Sequence, residues 1–185
     1  MGWLYYDIYT SPKQECDRLL NCKNEDCEQT VLASCMKGNI YYAVIKQKTK
    51  DIDKNMAIVF LTHYSPKAKN GCNFGYKDMD ESMGPCRYDF PEKYLDMLTP
   101  TNNELALEWR KAVRERISKN KKLAKLKVGD KIKFRSPVET VSGVKVGDEI
   151  IVEKRKRYFI RSYWRWPKQW IPKEFEIIKK QNKNN

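Results

Sequence analysis

"MAIVFLTHY", residues 56–64, is an almost unbroken apolar run. A run this short, rich in β-branched and aromatic residues, predicts a buried central strand. Around it, residues 30–46 form two apolar runs broken by Lys37-Gly38-Asn39, which predicts a hairpin. Residues 2–10 are aromatic and β-branched and predict another strand. Ser11-Pro12 then fits an N-cap followed by proline at the first helical position, opening a short helix through Leu20. Residues 21–29 are polar and predict a loop, and 73–76 predict a further strand. The order β-α-β-β-β predicts an α+β module over residues 1–99, a mixed sheet with one packed helix.

An acidic loop follows, then a helix. Thr101-Asn-Asn-Glu104 has the spacing of a capping box. Leu105, Trp109, Val113 and Ile117 recur every four residues, with Ala106 and Ala112 beside them, which is one apolar stripe. Arg110, Lys111, Arg114 and Lys121 are expected on the opposite side. Residues 100–122 thus form a connecting amphipathic helix. In the remainder, 123–185, Lys127-Val-Gly-Asp-Lys-Ile132 is echoed by Lys145-Val-Gly-Asp-Glu-Ile150. Val-Gly-Asp before alternating residues is a turn that opens a strand: glycine takes the unusual dihedral and aspartate caps its own backbone. These turns and the closing "WIPKEFEIIK" resemble small SH3-like barrels, and the resemblance implies a five-stranded barrel, a fold that hosts many binding functions.

Charge separates the two ends. Residues 1–100 hold 13 Lys/Arg and 14 Asp/Glu, whereas 101–185 hold 24 and 10, so the whole net charge of +13 belongs to the second part. Such asymmetry points to a polyanionic partner, nucleic acid before anionic membrane. Apolar residues make up 41%, enough for a packed core. No run approaches the roughly 18 apolar residues of a membrane span. The opening "MGWLYYDIY" does not read as a signal peptide, and Tyr6 disfavours myristoylation of Gly2. A soluble cytoplasmic protein is expected.

The aromatic stretch "YFIRSYWRWPKQW", 158–170, admits two readings. Taken as one strand over 157–166, one face carries Tyr158, Ile160, Ser162, Trp164 and Trp166, a barrel core. The other carries Phe159, Arg161, Tyr163 and Arg165, which suits base stacking beside phosphate pairing. Equally, that second face is a barrel exterior on which arginine stems cover the rings. Arg155 and Arg157 lie in a basic tetrad just before it. With Lys122 and the cations of the helix, they are expected to form a positive strip whose binding falls steeply with salt. No base-reading helix is present, so sequence specificity is not expected.

Catalytic signals are few. His63 is the only histidine, which excludes multi-histidine metal centres; a core or edge histidine is the expected reading. Cys16, Cys22, Cys27 and Cys35 crowd one segment without the tight pairs of zinc knuckles, so unconnected thiols are expected. Asp78, Asp80 and Asp89 sit at calcium-loop spacing, but Met83 stands where glycine is needed. With Glu81 they could hold magnesium for phosphoryl chemistry, cap a turn with Lys77 and Arg87, or form an acidic protein-interaction loop. No cofactor is expected.

The opening "MGW", "GYKDMDESMGPCRYDFPEKYLDMLTP" and "NELALEWR" together resemble an uncharacterised family from bacterial plasmids, conjugative elements and phages. The resemblance implies an accessory role on a mobile element and supplies no catalytic residues. The expected function is therefore non-enzymatic binding of DNA or RNA through the basic half. The alternatives are an anti-defence inhibitor that contacts a host protein, and a metal-dependent enzyme centred on the acidic loop.

Overall fold

The computed structural model describes residues 3–66, 72–83, 89–137, 145–152, 158–161, 164–167, 171–172 and 174–179. The chain divides into two compact units, 1–116 and 117–185. The first is built on a six-stranded sheet in the order β1-β6-β5-β4-β3-β2, and every pairing is antiparallel, so the sheet is not mixed. Its strands are β1 (Leu4–Ile8), β2 (Cys22–Lys23), β3 (Cys27–Lys37), β4 (Ile40–Thr49), β5 (Asp53–Ser65) and β6 (Cys72–Asp80). Tight turns between sequential neighbours favour antiparallel pairs, because a parallel pair needs a long crossover.

Helix α1 (Pro12–Leu20) begins at the capping box of Ser11 and Gln14, with Pro12 at its first position. Asn21 ends it: its side chain donates to the Asp17 carbonyl, and its amide oxygen accepts the Val31 N–H. Cys16 and Leu20 bury with Ile8, Tyr41, Ala43, Ile45, Met56, Ile58, Phe60 and Phe74. Desolvation pushes the Cys16 thiol up to about 12, so it packs as a neutral apolar group. Glu15 is buried yet satisfied. It accepts from the Tyr6 hydroxyl at 3.0 Å and from the Arg18 guanidinium, and the Arg18 bonds chiefly hold its carboxyl below the usual range against desolvation.

The opposite sheet face is covered too. Tyr42, Val44, Ala57 and Val59 are buried, and Tyr42 meets Phe90 edge-on at 6.0 Å. Phe90 in turn meets Trp109 at 5.3 Å. Asn55 bonds the Met97 carbonyl, and its N–H donates to Thr99, so the segment after β6 is stitched to β5. The central strands therefore lie between helical layers on both sides. The expectation of a single packed helix is corrected, and the unbroken apolar run of β5 has its physical reason.

Residues 21–29 were expected as a loop; most of them form β2 and the start of β3. They lie at a sheet edge, where burial in β3 alternates between half-buried and exposed, so polar composition conceals the strand. Within the sheet, the ring of Tyr5 lies against Gly75, its cross-strand partner. A Cβ added at Gly75 would stand 2.3 Å from a Tyr5 ring carbon. Gly75→Val is therefore expected to displace Tyr5 and cost about 1–3 kcal/mol. A urea titration of the variant measures this; an unchanged midpoint would show that β1 shifts at no cost.

In the second unit a five-stranded antiparallel sheet has the order β10-β9-β8-β7-β11 and is barrel-like. Its strands are β7 (Lys131–Phe134), β8 (Glu149–Ile151), β9 (Tyr158–Arg161), β10 (Trp164–Pro167) and β11 (Phe175–Ile178). Leu123, Leu126, Ile132, Phe134, Ile150, Val152 and Ile171 make its core. The two Val-Gly-Asp turns are alike. Gly129 has φ 92° and Gly147 has φ 94°. Asp130 accepts the Lys127 N–H at 2.8 Å, and Asp148 accepts that of Lys145 at 2.8 Å. The Gly129 N–H bonds the Val152 carbonyl and the Gly147 N–H bonds that of Phe134, so each turn closes onto the end of the other strand.

Candidate nucleic-acid interface

Helix α3 (Glu104–Ala124) carries the first group of candidate cations. Its N-cap is Asn103, whose side chain accepts the Ala106 N–H at 2.9 Å and whose carbonyl accepts that of Leu107. Thr101 instead accepts the Asn103 N–H, so the capping box read from Thr101 and Glu104 begins two residues early. The buried stripe is shifted as well. Ala106, Trp109, Arg110 and Val113 are buried, whereas Leu105 is 45% exposed.

Arg110 was expected to contact phosphate and is corrected. Its residue is only 7% exposed. The guanidinium grips Glu81 through two bonds of 2.7 Å and donates to the Thr99 carbonyl at 2.8 Å. A planar fork on a carboxylate is a strong pairing, and it leaves this arginine no face toward a polyanion. Lys111, Arg114, Lys121 and Lys122 are exposed, as the helical period requires once Arg110 turns inward. Lys111, Arg114 and Lys122 recur at three or four residues or multiples of these, so they share one side of α3 over about 16 Å. Arg116 pairs with Asp89 at 2.8 Å, and Lys119 donates to the Ile171 carbonyl, so both take part in the fold.

Further exposed lysines, Lys125 and Lys127, lie just beyond the helix and were not singled out from sequence. Their signal is present there: Leu123 and Leu126 are the buried pair, and the flanking lysines are forced outward. Within the basic unit several cations are neutralised locally. Lys131 pairs with Glu149 at 3.2 Å, Arg135 with Glu176, and Lys179 with Asp130 at 2.8 Å. The first two pairs are exposed and contribute little to stability, whereas Asp130 is buried. All three show which basic residues already have an anion. By the division of the chain, 1–116 holds 17 cations and 17 acids, and 117–185 holds 20 and 7, so the entire +13 resides in the second unit.

The aromatic stretch is not one strand. β9 and β10 are antiparallel partners, with Arg161 opposite Trp164, Ile160 opposite Arg165 and Phe159 opposite Trp166. The sorting into two faces by unbroken alternation over 157–166 is therefore corrected, because the chain reverses between the two strands. Phe159, Arg161 and Arg165 are placed on these strands by their backbones. Arg155, Arg157 and Tyr163 lie outside the described residues, as do Arg87 and the rest of 84–88 in the acidic segment.

The carboxylates of that segment do not converge. Asp78 and Asp80 end strand β6 rather than standing in a loop. Asp80 accepts from the Ser82 N–H at 2.7 Å and from the Ser82 hydroxyl. Glu81 belongs to Arg110, and Asp89 to Arg116. Among the described residues no group of three or more His, Cys, Asp or Glu is placed to hold a metal ion. Cys16, Cys22, Cys27 and Cys35 are free thiols. His63 is exposed and meets Tyr5 edge-on at 6.2 Å. Among the described residues no helix is long and apolar enough to cross a membrane.

A family model for a domain of unknown function (DUF6927) matches residues 100–169. The match takes in α3 and β7 to β10 and stops before β11. Over that span the chain is similar to an uncharacterised domain, and the motif at 74–90 lies outside it. No curated protein and no solved structure matches the chain.

Proposed function

We propose that the chain is a non-enzymatic accessory protein of a mobile element or phage, and that it binds nucleic acid with little sequence specificity. The observation that carries this reading is the charge division: the unit 1–116 is neutral and the unit 117–185 holds the whole +13. A compact unit this basic gains affinity by releasing counterions from a polyanion. In this reading Lys111, Arg114, Lys121 and Lys122 contact phosphates from α3, and Arg155, Arg157, Arg161 and Arg165 extend the footprint. Phe159 and Tyr163 are the stacking platforms, and the barrel-like unit is an SH3-like barrel.

The test is binding of labelled single- and double-stranded DNA and RNA at about 50 and 200 mM salt. The full chain is expected to lose affinity by a factor of about 10³ over that range if six phosphates are engaged. Lys111→Ala, Arg114→Ala and Lys122→Ala together are expected to lower the salt slope by about 2–3. An unchanged slope in the triple variant removes α3 from the interface. Absence of binding at the lower salt overturns the reading altogether.

A further inference from the structure

We propose that the outer edge of β1 pairs antiparallel with β1 of a second copy of this chain, forming a two-fold dimer with one continuous sheet. β1 is the first strand of the six-stranded sheet and bonds to β6 on one side only. Among the described residues no backbone hydrogen bond occupies its other side. Helix α1 packs on one face of the sheet, over β3, β4 and β5, and its Glu15 accepts from the Tyr6 hydroxyl of β1. An unpaired strand edge is a template for another strand, and proteins that must stay monomeric guard it with lysine, proline or a very short strand. β1 has none of these guards. Its neighbourhood exposes Trp3 at 42%, Leu4 at 57%, Tyr5 at 54% and Tyr9 at 88%.

The order of these residues points to a second copy rather than an unrelated strand. A two-fold axis at Tyr6 sets Leu4 opposite the copy's Ile8, Tyr5 opposite its Asp7 and Trp3 opposite its Tyr9. Aliphatic thus meets aliphatic, aromatic meets aromatic, and the lone charge meets a hydroxylated ring, each twice. Aromatic pairs directly across an antiparallel ladder are among the more favourable ones. The two most exposed aromatics that flank the strand, Trp3 and Tyr9, would become partners. At the other edge, β2 has two residues and pairs with β3 only at Glu28 and Gln29. A contact of β1 with β1 is isologous and closes on itself.

Sedimentation over roughly 1 to 100 µM tests this, since a short two-strand contact is expected to bind in the micromolar range. The mass should rise from 22.0 kDa toward twice that value. Trp3→Lys with Leu4→Lys sets lysines opposite the copy's Tyr9 and Ile8 in place of the aromatic and aliphatic partners, without opening the core, and should weaken association by about tenfold or more. Hydrogen exchange on the unaltered chain is the second measurement: alternate amides of β1 should gain protection as concentration rises. A monomer throughout overturns the proposal and leaves the edge to a different partner. A dimer indifferent to the lysines, or β1 amides indifferent to concentration, overturns it as well.

Discussion

Arg110→Ala is expected to lower the stability of the 1–116 unit by about 3–5 kcal/mol. The pair it breaks is 8% and 6% exposed at its two side chains and joins α3 to the 3-10 turn Glu81–Met83 that follows β6. Removing the guanidinium leaves a largely buried carboxylate without its partner, and the Thr99 carbonyl loses its donor. That penalty, rather than the worth of the pair itself, sets the size of the loss. Glu81→Ala should be comparably harmful, because it strands the positive partner. Methionine at both positions is expected to restore much of the loss, since apolar groups of similar volume carry no desolvation cost. Urea unfolding of the three variants measures this. A single substitution costing under about 1 kcal/mol would show that water reaches the pair.

Trp109→Ala is expected to cost about 3–5 kcal/mol, the range for opening a large cavity in a packed layer. Trp109 is 1% exposed and rests against Phe90, which reaches Tyr42 on β4. One ring therefore ties α3 to the sheet through a chain of edge-on contacts. Its indole Nε1 is buried without a hydrogen-bond partner, an unusual state for a strong donor. Trp109→Phe removes that unpaired donor while keeping most of the apolar area. It should therefore cost much less than alanine, about 1–2 kcal/mol. Thermal melts of both variants decide the matter, and equal losses would mean that shape alone governs the site.

Much of the architecture was legible where local chemistry and global packing agree. The N-cap at Ser11, the proline at the helix start and the long apolar run of β5 each follow from residues near in sequence. So do the twin Val-Gly-Asp turns, because a positive φ and an aspartate cap are local requirements. The edge strand β2 and the polar start of β3 were hidden because their residues are half-buried or exposed and so need few apolar side chains. The hairpin of β9 and β10 was hidden because Ser162-Tyr163, between the two strands, has no glycine, asparagine or aspartate to mark a turn.

The candidate site divides in the same way. The sequence by itself determined that the basic residues belong to the second part of the chain, since net charge is additive and needs no fold. It also placed Lys111, Arg114 and Lys122 on a helical side, because the 3.6-residue period is intrinsic to the backbone. Only the tertiary structure decided that Arg110 points inward and that Glu81, 29 residues away, is its partner. It likewise parted the acidic residues, giving Asp89 to Arg116 and Asp80 to Ser82. A guanidinium and a carboxylate look solvated in any sequence window. Burial can pair them when folding brings two distant segments to one place, where the cost of desolvation forbids either charge to stand alone.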